Sequence, residues 1–431
     1  IFLTHCSFDN KSGIWQNNSE TISKSKERFE DFKTLYSKEA TFNSEIAAPS
    51  NLNVSVDKSK NNLKWTDEFY NKNNNLENYN YKNLNKIIFK SKKLSKNNTN
   101  DKILFDGKTL ILNDERGNIV FYSVDQLEVL YKYNFYKKKY KKIKKNLNTI
   151  VEKGIVYISD NIGYIYAIDY TNQNLIWAKN YKIPFRSNMK IIRNKIILSD
   201  QNNSLIIINK LNGKKMKSLP TEEMILKNEF RNSFALLDDN IYFLNTFGTL
   251  YSIDANNLSI NWFFNINQSL DLNLNSLFYS NAVVARQGKI VVSTDPFLYI
   301  LNSDTGATIL KKAITSISRP IITKDGLYII TKDNLLVYKD LNTQKIVFSI
   351  NIDEEISKFL NTKKKSIIIK AYYIVNGNLF IFLENSYLIK MNLNGKITEI
   401  NRLPEKISSL PIFIKSSILY LSKKNKLVIL N

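Results

Sequence analysis

The chain has one cysteine, Cys6, and one histidine, His5, in 431 residues. A single Cys forms no intrachain disulfide. With so little Cys and His, ordinary zinc sites and any triad that uses His are excluded. Only carboxylates, Lys, Ser/Thr and Tyr remain for catalysis. Glycine and proline are scarce, at 12 and 7. Beyond the amino terminus no uninterrupted apolar run reaches the ~20 residues that a bilayer-spanning helix requires. Acid is also short, with 39 Asp and Glu against 62 Lys and Arg. Such a field attracts phosphates. Here, however, Lys is spread along the whole chain, and Lys, Asn and Ile are abundant together, as A/T-rich codons produce. Without a focused basic face no nucleic-acid partner is expected.

What is plentiful is Val, Ile, Tyr and Phe, the residues of strands. From about residue 100 one phrase recurs: apolar strand, short turn, apolar strand, polar turn, third strand. Copies begin at Lys108, Gly154, Asn194, Asn240, Gly288, Gly326 and Gly377, with a shorter one at Ser416. Gly117, Gly163, Asn203, Gly248, Phe297, Asn334, Ser386 and Asn425 mark equivalent turns, on average about 44 residues apart, the period of four-stranded propeller blades. Runs such as Tyr164 to Ile168 are apolar at nearly every position, as a strand covered on both faces is. A further apolar stretch before each copy, such as Ser280 to Ala285, supplies the innermost strand. The final copy lacks its outer strand, while Lys86 to Lys90 is a strand with no blade of its own. Pairing the two closes the ring and removes the seam. The expectation is all-β: an eight-bladed β-propeller of four-stranded antiparallel blades, closed by an N-terminal strand pairing with the C-terminal blade.

Before the ring, Ile1 to Thr4 reads as the tail of an apolar signal-peptide core. Leu3-Thr4-His5-Cys6 resembles a bacterial lipobox, with His5 where Gly or Ala is usual. Residues 1–6 are therefore expected to be a signal-peptide remnant ending at a lipidated Cys6, the alternative being an ordinary thiol. Several acyl chains would hold the chain on a membrane without a spanning helix. Ser7 after the cysteine matches the rule for sorting to the outer membrane. Residues 7–62 are expected to be a polar tether, with a short helix between Ser19 and Tyr36, and residues 63–431 the propeller. Asn71 to Asn85 is Asn-rich and reads as a loop.

Ala167-Ile168-Asp169 followed by Trp177, Ser252-Ile253-Asp254 followed by Trp262, and the Asp304-Thr305-Gly306 turn resemble the repeat of quinoprotein-type propellers. Each Trp falls 14 residues after its turn glycine and is expected to pack between blades. With the lipobox, the tether and eight degenerate repeats, the chain resembles the BamB family of outer-membrane assembly lipoproteins. The resemblance implies a non-catalytic scaffold on the periplasmic face of the outer membrane of a Gram-negative bacterium. It implies binding to the POTRA segments of a BamA-like protein, contact with nascent outer-membrane proteins, and a monomer within a larger complex. It implies no cofactor, no metal and no catalytic residue. Pro184-Phe185-Arg186-Ser187 resembles the Arg-containing segment with which that family grips BamA, so Phe185, Arg186 and Ser187 are the candidate partner-binding residues. The other reading of Arg186 is a solvated loop charge. The run Lys137 to Lys145 reads as an exposed interblade loop; its functional alternative is contact with anionic head groups or an acidic partner.

Two rivals share the repeat. A quinone-dependent dehydrogenase would need Ca²⁺ held by carboxylates and amides, a catalytic Asp and often a vicinal disulfide. No Cys pair exists here. A lectin-like or other extracytoplasmic binding propeller differs only in its partner. A WD-repeat scaffold would show Gly-His and Trp-Asp dipeptides, which are missing.

Overall fold

A computed structural model describes residues 7–8, 15–16, 41–222, 231–266, 280–316 and 318–431. Two units cluster separately, 1–40 and 41–431. In the first, Ser7–Phe8 pairs antiparallel with Trp15–Gln16. Cys6 and the helix expected between Ser19 and Tyr36 lie outside the described residues.

The second unit carries eight antiparallel meanders of four strands, each running outward from its first strand. Blades 1 to 7 span 104–134, 147–180, 190–219, 233–265, 284–312, 321–351 and 369–402. Blade 8 takes three strands from 412–430 and its fourth from Ile87–Lys93. The closing register pairs Val428 with Lys90, Ile429 with Phe89 and Leu430 with Ile87. The ring therefore shuts between the head and the tail of the unit, as the strand count predicts.

Blade 2 shows why these residues make these strands. Ile155–Asp160 and Tyr164–Asp169 are buried along almost their whole length because neighbouring blades cover both faces. The outermost strand, Asn174–Asn180, is mostly exposed. The turn between the middle strands needs a left-handed residue. Seven of the eight marked positions have it, from Gly117 at φ 83° to Asn425 at φ 55°. The exception is Phe297, in blade 5. There Thr294 and Phe297 close the turn on each other, the Thr294 amide donating to the Phe297 carbonyl at 2.8 Å.

In blades 1 to 7 the pairing of third and fourth strands slips by one residue at an equivalent place, as between Ala167 and Ile168 or Ser252 and Ile253. Such bulges sharpen the local twist. In blades 2 and 4 the tryptophan stands beside the bulge and docks on the next blade. Trp177 Nε1 donates to the Lys210 carbonyl at 3.0 Å, and a Cβ on Gly213 would lie 2.4 Å from its ring. Trp262 repeats this on Ser303 and Gly306, at 3.0 and 2.6 Å. Only glycine lets the ring approach so closely.

Much of the stretch read as an Asn-rich loop is interior: Asn74 to Leu76, Asn78, Tyr79 and Tyr81 are buried, and Lys82 to Leu84 return to the surface. Residues 62–82 pass through the middle of the ring and touch every blade in turn. Asn62 accepts from Lys415 of blade 8. Trp65 exchanges backbone bonds with Phe105 of blade 1, and the Thr66 carbonyl accepts from Val151 of blade 2. Lys190 of blade 3 reaches Asp67 and Asn74. The carbonyls of Lys72 and Asn73 accept from Leu236 and Ala285, on the first strands of blades 4 and 5. Asn75 makes paired bonds to Ile322 of blade 6, each 2.9 Å. Asn78 and Tyr79 run parallel to Ile374 and Val375 of blade 7. Lys82 then returns to blade 8. The physical reason lies in the eight innermost strands. Each offers the axis an unpaired edge, and buried backbone groups demand partners. Asn supplies short amide donors and acceptors and tolerates φ above zero, as at Asn74 (φ 63°). Tyr79, 0% exposed, stacks on Phe413 at 5.3 Å and completes the core of this axle.

Residues 41–60 lie against the propeller. Phe42 bonds to Ala313, Ile46 pairs with Ser349 of blade 6, and Asn394 of blade 7 donates to the Leu52 carbonyl. One helix, α1 (Ile352–Leu360), leaves blade 6, its first turn capped by Asn351 accepting from Glu354. No described helix is long and apolar enough to cross a membrane.

Candidate functional site

In an antiparallel meander alternate connections emerge on opposite faces. The turns between second and third strands therefore share one face with the crossovers to the next blade. On that face a cavity of about 560 Å³ opens over blades 1 to 3. Its wall comes from separate segments. Asn98 to Asn100 follow the closing strand, and Asp114 and Glu115 form a blade turn. Lys144 to Asn146, Phe185 with Arg186, and Arg231 come from three successive crossovers.

The crossover 181–189 is held firmly. Phe185 is 1% exposed and donates its amide to the Asp160 carbonyl at 3.0 Å. Ser187 is 0% exposed, and its Oγ accepts the Ser199 amide at 2.7 Å. Between them the Arg186 amide donates to Ser199 and its carbonyl accepts from Asn232, at 3.0 and 2.8 Å. Of the three candidate residues, then, Phe185 and Ser187 are turned inward and fix the backbone of Arg186. Arg186 itself is half-buried and lines the cavity. Arg231 joins it from the next crossover, hydrogen-bonded to Asn148.

The Lys137 to Lys145 run divides. Lys138–Tyr140 is a single 3-10 turn, and Lys144 is exposed and 3.4 Å from Glu115. Lys145 is buried, lies 5.0 Å from the centre of the Tyr136 ring and lines the cavity. Burial, with Arg116 nearby, pushes its ammonium down. Arg231 and Asn100 are cavity residues that sequence reasoning missed, and Lys145 was offered only as part of the 137–145 run.

Two equivalent turn aspartates behave oppositely. Asp114 is held below the ordinary carboxylate range. Burial works the other way, but hydrogen bonds from Asn118, Asn97, Ser95 and the turn amides outweigh it. Asp160 is pushed up by deeper burial, despite the Tyr136 hydroxyl at 2.6 Å and three turn amides. The signs follow from linkage. Asp114 contributes stability that is present above its unfolded value and lost as pH falls through the folded one. Asp160 carries an ionisation penalty at neutral pH that disappears on acidification. Urea titrations between pH 7 and about 2.5, a range that extends below the ordinary carboxylate value, should therefore diverge. Relative to wild type, Asp160→Asn loses ground as pH falls and Asp114→Asn gains it. Parallel movement of the two variants would contradict the assignment.

At the centre of the same face the axle shows its tip, Glu68-Phe69, in a chamber of about 270 Å³. Phe69 lies beneath Lys102 and Arg319, 4.3 and 5.3 Å from its ring centre. Arg319 donates to the Phe69 carbonyl at 2.7 Å, and Glu68 pairs with Lys102 at 3.0 Å. The axis of the ring is thus crossed by the chain itself, which lines the chamber that remains there. Among the described residues no group of three Asp, Glu, His or Cys stands ready for a metal.

Residues 137–350 match the family model described as outer membrane protein assembly factor BamB. No curated protein sequence matches the chain. Among solved structures, BamB from Moraxella catarrhalis is similar with a TM-score of 0.61 at 11% identity, over 80% of this chain and 97% of that one. A europium-containing methanol dehydrogenase gives 0.60 at 11%, over 85% and 89%. The quinohemoprotein alcohol dehydrogenase of Comamonas testosteroni gives 0.61 at 8%, over 86% and 81%. At such identities these structures establish the propeller fold and nothing finer.

Proposed function

From a chain that resembles BamB-type, PQQ-repeat propellers, we propose a non-catalytic scaffold lipoprotein of the outer-membrane β-barrel assembly machinery. In this reading Cys6 is acylated and holds the propeller on the periplasmic face of the outer membrane. The face carrying Arg186 binds the POTRA segments of a BamA-like protein and aids the insertion of nascent outer-membrane proteins. One observation supports this above the others. Glu68 and Phe69 of the axle stand at the axis and line its smaller chamber, while the larger basic cavity beside it carries a rigidly mounted Arg186. A rigid Arg beside a concave wall is the kind of group that anchors a protein interface.

Capture of a BamA-like protein from membranes of the native cell tests the reading. Arg186→Glu should weaken capture at least about tenfold, the scale of an interface anchor, with the thermal midpoint unchanged. Undiminished capture would remove Arg186 from the interface, and the absence of any such partner would overturn the scaffold role. The dehydrogenase reading draws support from its structural neighbours, and a bound chromophore after addition of pyrroloquinoline quinone and Ca²⁺ would revive it.

A further inference from the structure

The outermost strand of every blade faces solvent along one edge, and such edges invite pairing with another chain unless charge or cover prevents it. Six of the eight carry charge: Glu128–Asn134, Asn174–Asn180, Lys215–Leu219, Thr308–Lys312, Ile397–Arg402 and the closing Ile87–Lys93 all contain Lys, Arg or Glu. Two contain none. Ile346–Asn351 of blade 6 is covered by the chain itself: Ile46 and Ser349 exchange backbone bonds at 2.8 and 2.9 Å. Ile260–Asn265 of blade 4 has no strand partner on its outer side among the described residues.

That bare edge ends an aromatic ladder. Phe234, Phe243, Tyr251 and Phe263 stand directly opposite one another on the four successive strands. Their ring centres are 4.7, 6.0 and 6.0 Å apart. The first three rungs are buried in the blade 3–blade 4 interface, and Phe263 is 68% exposed. Cross-strand aromatic pairs stabilise a sheet, and Phe263 lacks its next rung. Ile260, 45% exposed, adds to the same uncharged edge.

We propose that Ile260–Asn265 is a docking edge for an extended polypeptide segment of a partner. The segment adds a fifth strand to blade 4, is uncharged where it pairs, and sets an aromatic or β-branched side chain against Phe263. The occupant follows from three features of the molecule. Charge is missing from this edge although it guards six others. The equivalent charge-free edge of blade 6 already takes an extended segment by the same backbone exchange. The ladder ends on a solvent-exposed ring, Phe263. Backbone bonds supply the affinity in this mode and alternate side chains the specificity. The proposal rests on the scaffold reading only in requiring a polypeptide partner, and it uses a surface separate from Arg186.

The probe is a fluorescein-labelled twelve-residue peptide with capped ends, alternating Val or Tyr with Thr, titrated onto the full chain and followed by anisotropy. A matched peptide N-methylated at alternate residues is the control. The wild type should bind the first peptide and not the second. Phe263→Lys should weaken binding tenfold or more while the chain stays folded, its thermal midpoint falling only slightly with the lost Tyr251 pair. Ile309→Lys, on the already charged edge of blade 5, and Arg186→Glu should leave binding unchanged. No binding to the wild type, equal binding of the N-methylated peptide, or an unaffected Phe263→Lys would overturn the proposal. So would a finding that the edge pairs only with a second copy of this chain, seen as a dimer that Phe263→Lys dissolves. Peptide binding that survives when capture of the BamA-like protein fails would leave this edge standing and the Arg186 reading fallen.

Discussion

Asp67→Ala is expected to cost the folded ring about 3–5 kcal/mol, because it strips the carboxylate from a fully buried ammonium. Lys190 is 0% exposed. Its three donors go to Asp67 Oδ2 at 2.7 Å, the Asn71 carbonyl at 2.8 Å and Asn74 Oδ1 at 2.5 Å. Lys190 stands on the first strand of blade 3, and all three acceptors stand on the axle. The pair is therefore the pin between the ring and the segment that crosses it. With Asp67 gone, two neutral oxygens face a cation that water cannot reach. Lys190→Met should cost less, since Asp67 keeps the Phe69 amide at 2.8 Å as a donor. Asp67→Leu with Lys190→Met should recover much of the loss, as apolar replacement of a buried pair often does. Urea midpoints at constant slope measure all of these. A midpoint for Asp67→Ala within about 0.5 kcal/mol of wild type, the range of ordinary surface changes, would mean that the axle is not pinned there.

The axle also marks where the sequence stopped being legible. The repeat could be read because each middle strand must bury both faces and each turn must find a left-handed residue. Those are local demands, and they surface as apolar runs and as Gly or Asn at a fixed interval. Phe297 occupied the right place in the phrase without the conformation, because blade 5 closes its turn through Thr294. Closure was legible by counting strands. Asn71 to Asn85 had no such signature. Its partners lie far along the chain, 160 residues away at Phe234, 209 at Val283 and 247 at Ile322. Composition gave a loop; only the ring shows that much of the loop is interior. Helix α1 did carry a signal, Asn351 ahead of Asp353, Glu354 and Glu355, which the strand phrase overrode. At the site, the Pro184 to Ser187 segment was visible as a unit. Arg231 and Asn100 were not, because the cavity is assembled from crossovers of different blades. Lys145 was hidden inside a run whose other members look, and mostly are, solvated.

Val428→Pro is expected to cost at least about 3 kcal/mol and to open the ring at its seam. Val428 is 0% exposed on the third strand of blade 8, between Tyr420 on one side and Lys90 on the other. Proline removes an amide donor from a central strand and leaves the facing carbonyl orphaned, about 1–3 kcal/mol by itself. The rest comes from displacing a ladder that holds both ends of the unit. Leu94 donates to the Asn425 carbonyl and Leu427 to Ser91 Oγ at the same seam. Once the closing strand leaves, Lys426–Leu430 becomes an apolar edge with little charge of its own, and such edges pair between molecules. The variant should therefore show both a lower urea midpoint and concentration-dependent light scattering, the second suppressed by dilution. A lowered midpoint without self-association would mean the closing strand stays in place, and an unchanged midpoint would mean the seam contributes little to the stability of the wheel.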